Sequence, residues 1–285
     1  RRRRRRFFRP PRARVRWDVP APRAHVRRLE MPTETTSLVV VMRAAACVVG
    51  GDGYLGQFVV ENLSRADSPF DVVYALARRE STMTSTSSRA RRIVCDVTSA
   101  ASCADAVRAM TSTSDDDALR LVVNCAGMSS PGACEKAPRL ADAANAPSTL
   151  WTATAEATGE NPPLWIQLST DHVYDGTRAM SDERVTPKPV NAYGKSKVRC
   201  EETLAREYPR SVVLRSSIIT GPKPPFVDVE RTLFLDFIRD SFENKSERTT
   251  FYDDEFRSPI CVYDVCAAIR AAYESPPETP KTYNM

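Results

Sequence analysis

Ala46-Cys-Val-Val-Gly-Gly-Asp-Gly-Tyr-Leu-Gly56 decides the fold. Residues 46–49 are a short apolar run of the kind that forms a buried strand. Glycines at 50, 53 and 56 follow at Gly-x-x-Gly-x-x-Gly spacing, and those at 51, 53 and 56 also fit Gly-x-Gly-x-x-Gly. From residue 54 to 64 the pattern becomes helical. Glycines at a strand-to-helix turn allow the tight turn and let the backbone approach a pyrophosphate. The helix start then supplies N–H donors and the positive end of a dipole. Gly50, Gly53, Tyr54, Leu55 and Gly56 are therefore candidate phosphate-holding residues. The plainer alternative is a glycine-rich turn with no ligand, which the strand–turn–helix context disfavours.

Downstream, strand-like and helix-like runs alternate. Strands are predicted at 71–76, 92–95, 119–124, 164–168 and 211–214. Helices are predicted at 99–110, at 140–158 with a break at Pro147, and at 192–207. A polar Ser/Thr loop covers 81–88. This alternation implies a Rossmann-type, doubly wound α/β fold with a parallel sheet. After Gly221-Pro-Lys-Pro-Pro225 the style changes. A helix at 229–242, a strand near 249–251, a helix at 264–273 and the start of a strand at 282–285 suggest a small C-terminal lobe. The predicted division is 1–42 as an Arg-rich extension, 43–221 as a dinucleotide-binding domain carrying the catalytic residues, and 222–285 as a substrate lobe that reads as incomplete.

The net charge of +5 is unevenly distributed. Residues 1–30 hold thirteen arginines against two acids, whereas the rest has 28 basic and 34 acidic residues. The body is thus mildly acidic, and a nucleic-acid reading would rest on the tail alone. That tail cannot bury a core and reads as a disordered or artefactual extension. A targeting peptide is the weaker alternative, because residues 1–36 contain no serine. Met31 and Met42 are both plausible starts. No apolar run approaches a membrane span. Eight dispersed cysteines without a CxxC pair, and only two histidines, argue against zinc and for a reducing, cytoplasmic setting.

The chemistry concentrates in Leu168-Ser-Thr-Asp-His-Val-Tyr-Asp-Gly176 and Asn191-Ala-Tyr-Gly-Lys-Ser-Lys197. Tyr193 and Lys197 are one helical turn apart and share a face. A free phenol has a pKa of about 10 and is a poor proton shuttle at neutral pH. A nearby cation favours the charge left when a phenol ionises. Such a pair suits acid–base chemistry at a carbonyl or alcohol; taken alone it also fits an ordinary solvated helix start. The second strand discriminates between cofactors. NAD binding usually places a carboxylate at its end for the ribose hydroxyls. Here the strand runs into Ala77-Arg78-Arg79, two guanidinium groups suited to a 2′-phosphate, so NADP(H) is expected.

From about residue 45 onward the chain resembles the extended short-chain dehydrogenase/reductase superfamily. Within it, the 168–176 and 191–197 motifs resemble the dTDP-4-dehydrorhamnose reductase branch. That branch includes the NADP-binding regulatory β subunit of methionine adenosyltransferase. The resemblance implies that Gly50, Gly53 and Gly56 hold the pyrophosphate. It implies that Asp96, with Val97, meets the adenine, and that Asn124-Cys125-Ala126-Gly127 lies beside the cofactor ribose. Thr170 would bond the substrate carbonyl oxygen, with Ser169 as the alternative; Tyr193 would protonate it and Lys197 would hold the ribose. Arg215-Ser-Ser217-Ile would border the nicotinamide, and Arg257 would meet a substrate diphosphate. His172 stands where the branch more often has Tyr; it reads as a loop residue beside the pocket, a substrate contact or a second acid. Cys200 stands in place of a usual Gly. The function implied is NADPH-dependent reduction of a nucleotide-linked 4-keto-6-deoxysugar. The alternatives are a regulatory subunit that binds a methionine adenosyltransferase catalytic subunit, and a related reductase or epimerase. A homodimer is the family-level expectation.

Overall fold

The computed structural model describes residues 43–80, 87–111, 117–230, 232–244 and 248–285. The Arg-rich extension and most of the polar loop lie outside the described residues. The described elements begin with β1 (Arg43–Val49), α1 (Tyr54–Leu63), β2 (Val72–Ala77), β3 (Ala90–Val94), α2 (Ala100–Thr111) and β4 (Asp117–Asn124). Next come α3 (Pro131–Lys136), α4 (Pro138–Asn145), α5 (Ser148–Thr158), β5 (Leu164–Thr170), a 3-10 turn (Asp171–Val173), α6 (Ala192–Glu207) and β6 (Ser211–Ser216). The chain ends with β7 (Ile219–Thr220), α7 (Phe234–Glu243), β8 (Ile260–Cys261), α8 (Val262–Glu274) and β9 (Lys281–Asn284).

Seven strands pair in parallel in the order β3-β2-β1-β4-β5-β6-β9. The order reverses between β1 and β4, which opens a crevice at the C-terminal strand ends. Strands β2, β5 and β6 are buried along their whole length, as parallel strands covered on both faces should be. Side chains alternate between two cores. One holds Val48, Phe58, Ile166 and Leu214 under α1 and α8. The other holds Cys47, Trp151, Trp165 and Tyr208 under α2, α5 and α6. Trp165 meets Trp151 edge-to-face at 5.9 Å and Tyr208 at 5.8 Å. Their polar tips are satisfied: the Tyr208 hydroxyl donates to the Pro163 carbonyl at 2.9 Å, and the Trp151 Nε1–H to Glu207 at 3.2 Å. The register aligns Val49 with Asn124, Asn124 with Gln167, and Thr170 with Ser216. The candidate site residues at 124–127, 169–170 and 215–217 therefore emerge together at the C-terminal ends of β4, β5 and β6.

Three features depart from the sequence reading. No strand forms at 249–251; the Phe251 ring instead stacks on Phe242 of α7 and tilts against Phe237. The final strand joins the main sheet beside β6 rather than staying with the segments around it. Short helix α3 and the two-residue β7–β8 pair were not predicted. Such short elements carry too few residues to show a period. The break at Pro147 is present, separating α4 from α5.

Gln57 clamps the segment after β7 to the phosphate loop. It is fully buried in α1. Its amide donates to the Asp52 and Val227 carbonyls, each at 2.9 Å, and its carbonyl accepts from the Phe226 and Val227 N–H groups at 3.0 and 2.9 Å. Replacing it with Leu leaves these backbone groups unpaired. Gln57→Leu is expected to lower stability by about 2–4 kcal/mol in urea unfolding, because each buried group left unpaired costs about 1–3 kcal/mol.

Candidate active site

The crevice over the strand ends is a cleft of about 610 Å³. One wall is the glycine turn. Gly50 has φ +74°, which favours glycine. A Cβ at Gly56 would fall on the Gly50 carbonyl oxygen, 2.0 Å away, so only glycine lets α1 start against the turn. Gly53 caps α1 without a side-chain bond. Gly53, Tyr54, Leu55 and Gly56 all line the cleft. A helix start without a side-chain cap, pressed close to a turn and open to a cleft, fits a pyrophosphate.

The floor is made by β4 and β5. Asn124 is buried, donates to Gln167 Oε1 at 2.9 Å and accepts from the Ala126 N–H at 3.1 Å. That holds Cys125, Ala126 and Gly127 against the cleft. Burial pushes the Cys125 thiol well above its usual range, which disfavours the thiolate.

The opposite wall is α6 and the turn after β5. Asn191 caps α6, its side chain accepting from the Gly194 N–H at 2.8 Å. Glu135 of α3 adds a second cap by accepting from the Ala192 N–H at 2.6 Å. A Cβ at Gly194 would sit 2.2 Å from the His172 carbonyl oxygen, so glycine is what lets α6 close on the turn. Tyr193, half-buried, then faces the cleft with its ring edge-to-face to His172 at 5.5 Å. Lys197 is buried and donates from Nζ to the Leu168 carbonyl at 3.0 Å. Thr170 is buried, lines the cleft, accepts from the His172 N–H at 3.2 Å and reaches Asp171 Oδ1 at 3.3 Å.

Thr170, Tyr193 and Lys197 thus share one cleft with the glycine turn, Ser217, His172 and Arg257. The other candidate residues are placed differently. Ser169 also lines the cleft, but its hydroxyl donates to buried Glu201. Arg215 turns away, pairing with Glu201 and donating to the Tyr174 hydroxyl at 2.8 Å, while Ser216 and Ser217 line the cleft. Arg78 and Arg79 are exposed and outside the cleft walls, and Arg79 stands 3.8 Å from Glu230. Asp96 lies with Val97 outside the walls too. Bonds from the Thr98 hydroxyl and then its N–H hold the Asp96 carboxyl below the usual range.

Sequence reading missed Asn145. It is fully buried at the end of α4, accepts from the Met128 N–H at 2.6 Å and donates to Ser196 Oγ at 2.8 Å. It therefore holds the segment after β4 against α6, beside Lys197. The one available signal was an amide closing an otherwise Ala-rich helix. Among the described residues no group of three or more His, Cys, Asp or Glu could hold a metal, and no helix is long and apolar enough to cross a membrane.

A doubly wound sheet with a glycine turn and a Tyr/Lys pair on one cleft defines a Rossmann-type protein of the extended short-chain dehydrogenase/reductase class. The chain belongs to the RmlD substrate binding domain family, whose model matches residues 44–285. It is 33% identical over 112 residues to a probable low-salt glycan biosynthesis reductase, Agl14, of Haloferax volcanii, covering 38% of this chain and 36% of that protein. It is 30% identical over 165 residues to the methionine adenosyltransferase 2 subunit beta of Danio rerio, covering 55% of this chain and 49% of that protein. The matched segments thus span less than half of these relatives' length. In fold it is similar to a dTDP-4-dehydrorhamnose reductase from Bacillus anthracis in complex with NADP, with TM-score 0.64, 21% identity and coverage of 86% and 75%. It is also similar to a UDP-glucose 4-epimerase from Brucella ovis in complex with NAD, with TM-score 0.68, 17% identity and coverage of 85% and 77%.

Two outcomes are expected from this geometry. Gly56→Ala should lower the melting temperature and weaken dinucleotide binding at least about tenfold by fluorescence titration, since the added Cβ meets backbone. His172 should titrate below the ordinary histidine value of about 6.5. Burial and then the Arg257 charge press its pKa down, against Asp171 and Glu255. The unfolded chain then binds this proton more readily, so stability falls as pH drops from the unfolded value toward the lower folded one. Imidazole NMR titration checks the midpoint.

Proposed function

We propose that this chain is an NADPH-dependent reductase of a nucleotide-linked 4-keto-6-deoxysugar. The reading rests on one observation: Thr170, Tyr193 and Lys197 share a cleft with an open glycine turn. When bound, the reduced nicotinamide supplies hydride to the keto carbon. Thr170 donates a hydrogen bond to the carbonyl oxygen and orients it. Tyr193 gives that oxygen its phenolic proton, so the ketone becomes an alcohol. The Lys197 ammonium stabilises the charge left on the phenol oxygen. Among the described residues its one acceptor is the Leu168 carbonyl, so two of its three donors are left for ribose hydroxyls.

Residues 43–221 hold the cofactor in this account, and 222–285 contribute the substrate side. Arg78 and Arg79, exposed beyond β2, grip the 2′-phosphate, and Asp96 and Val97 meet the adenine. Arg257, a quarter exposed at the cleft mouth, meets the substrate diphosphate. The likeness to methionine adenosyltransferase 2 subunit beta supports a second reading, an NADP-binding regulatory subunit of that enzyme. Stimulation of a methionine adenosyltransferase catalytic subunit by Tyr193→Phe as well as by wild type would favour it.

The test is oxidation of NADPH in the presence of dTDP-4-keto-6-deoxysugar. Wild type is expected to turn over with NADPH preferred to NADH. Tyr193→Phe should bind NADPH normally and lose about 10²-fold or more in kcat, as the loss of a general acid does. Unchanged turnover would remove Tyr193 from the role, and an NADH preference would remove Arg78 and Arg79 from theirs.

A further inference from the structure

The cleft mouth contains a hydrogen-bond conflict. His172 stands between two side chains. Its Nδ1 is 3.0 Å from Asn191 Nδ2, and its Nε2 is 3.2 Å from Arg257 Nη1. The charged and titratable groups facing it are Asp171 on its own turn, Arg257 and Glu255 ahead of β8, and Tyr193 on α6. Burial and Arg257 favour its neutral form, which carries one N–H and one acceptor nitrogen.

Both neighbours present donors. A guanidinium can only donate. Asn191 is not free to turn over, because its Oδ1 accepts from the Gly194 N–H at 2.8 Å and so directs Nδ2 at the ring. A neutral imidazole can accept at only one nitrogen, so one contact must yield. Turning Asn191 would lose a helix cap worth about 1 kcal/mol and set one N–H against another. Arg257 has acceptors elsewhere: Asp171 at 3.0 Å, Glu255 at 3.1 Å and Ser217 at 3.3 Å. The Arg257 contact is the one that yields.

We infer that Asn191 fixes His172 as the Nε2–H tautomer, and that this N–H, together with Arg257, reads an oxygen acceptor on the substrate. Asn191 is a positioning residue and His172 a specificity-determining one. Two donors 3.2 Å apart with no acceptor between them are relieved by an oxygen that accepts from both. The edge-to-face contact with Tyr193 sets this donor pair beside the phenol. An analogue without an oxygen there leaves the His172 N–H unpaired and is disfavoured. The substrate part of the inference rests on the reductase reading; the tautomer part does not.

The experiment is imidazole ¹⁵N NMR on the full chain at about pH 8.5, where an ordinary histidine of pKa ~6.5 is neutral. With only two histidines, the His172 signals are identified by their loss in His172→Gln. Wild type should show Nε2 protonated and Nδ1 bare. Asn191→Asp keeps a helix cap, since Asp caps as well as Asn, but turns a carboxylate to Nδ1. It should switch the ring to Nδ1–H. A wild-type ring already in the Nδ1–H form, or no switch in Asn191→Asp, overturns the assignment. With NADPH and dTDP-4-keto-6-deoxysugar, Asn191→Asp should raise KM about tenfold, the worth of one hydrogen bond, with kcat within about twofold. A switched tautomer with unchanged KM overturns the substrate-reading role. Absence of wild-type turnover would instead count against the reductase reading, and the NMR result would still decide the role of Asn191.

Discussion

One hydrogen bond organises the site: Lys197 Nζ donating to the Leu168 carbonyl at 3.0 Å. An ammonium buried this deeply is costly unless it is bonded. Leu168 lies on β5 two residues before Thr170, and Lys197 lies on α6 one turn after Tyr193. The bond therefore sets the strand that carries the hydroxyl against the helix that carries the phenol. Gly194 makes the approach sterically possible, because the His172 carbonyl occupies the space of a Cβ. Asn191 and Glu135 satisfy the N–H groups at the start of the same helix.

Behind this contact sits a second polar layer that faces away from the cleft. Glu201, on α6, receives the Ser169 hydroxyl and pairs with Arg215 on β6. The Tyr174 hydroxyl accepts from Arg215 and lies 3.0 Å from Asn284 Oδ1, which ties in β9. A buried ion pair of this kind is weak evidence of net stability, but removing one partner strands a charge. Its structural consequence is orientation. Ser169 and Thr170 alternate across β5. Both residues line the cleft, but the Ser169 hydroxyl is committed to Glu201, which leaves Thr170 as the hydroxyl suited to meet a ligand.

Much of this was legible in the sequence, for identifiable reasons. The glycine turn shows because its residue type is dictated by backbone at Gly50 and Gly56. The sheet shows because buried parallel strands are continuous apolar runs, as β2 and β5 are. Tyr193 and Lys197 show because helical spacing alone puts them on one face. Other features depend on partners far away in sequence. Gln57 bonds residues 226 and 227, Asn145 bonds Ser196, and Ser169 bonds Glu201, and no local period announces such pairs. Residues 249–251 carry strand-like composition, yet aromatic contact with α7 takes up the Phe251 ring. Helix propensity and strand propensity are weak where a side chain finds a better packing partner.

The account holds that this cleft moves hydride and proton onto a ketone beside Tyr193. The most direct measurement is isotope transfer from NADPH deuterated at the nicotinamide C4 position, with dTDP-4-keto-6-deoxysugar as acceptor and mass spectrometry of the sugar as readout. The account predicts a sugar alcohol carrying one deuterium at the former keto carbon. Recovery of unlabelled keto sugar with the cofactor bound and unchanged would contradict it.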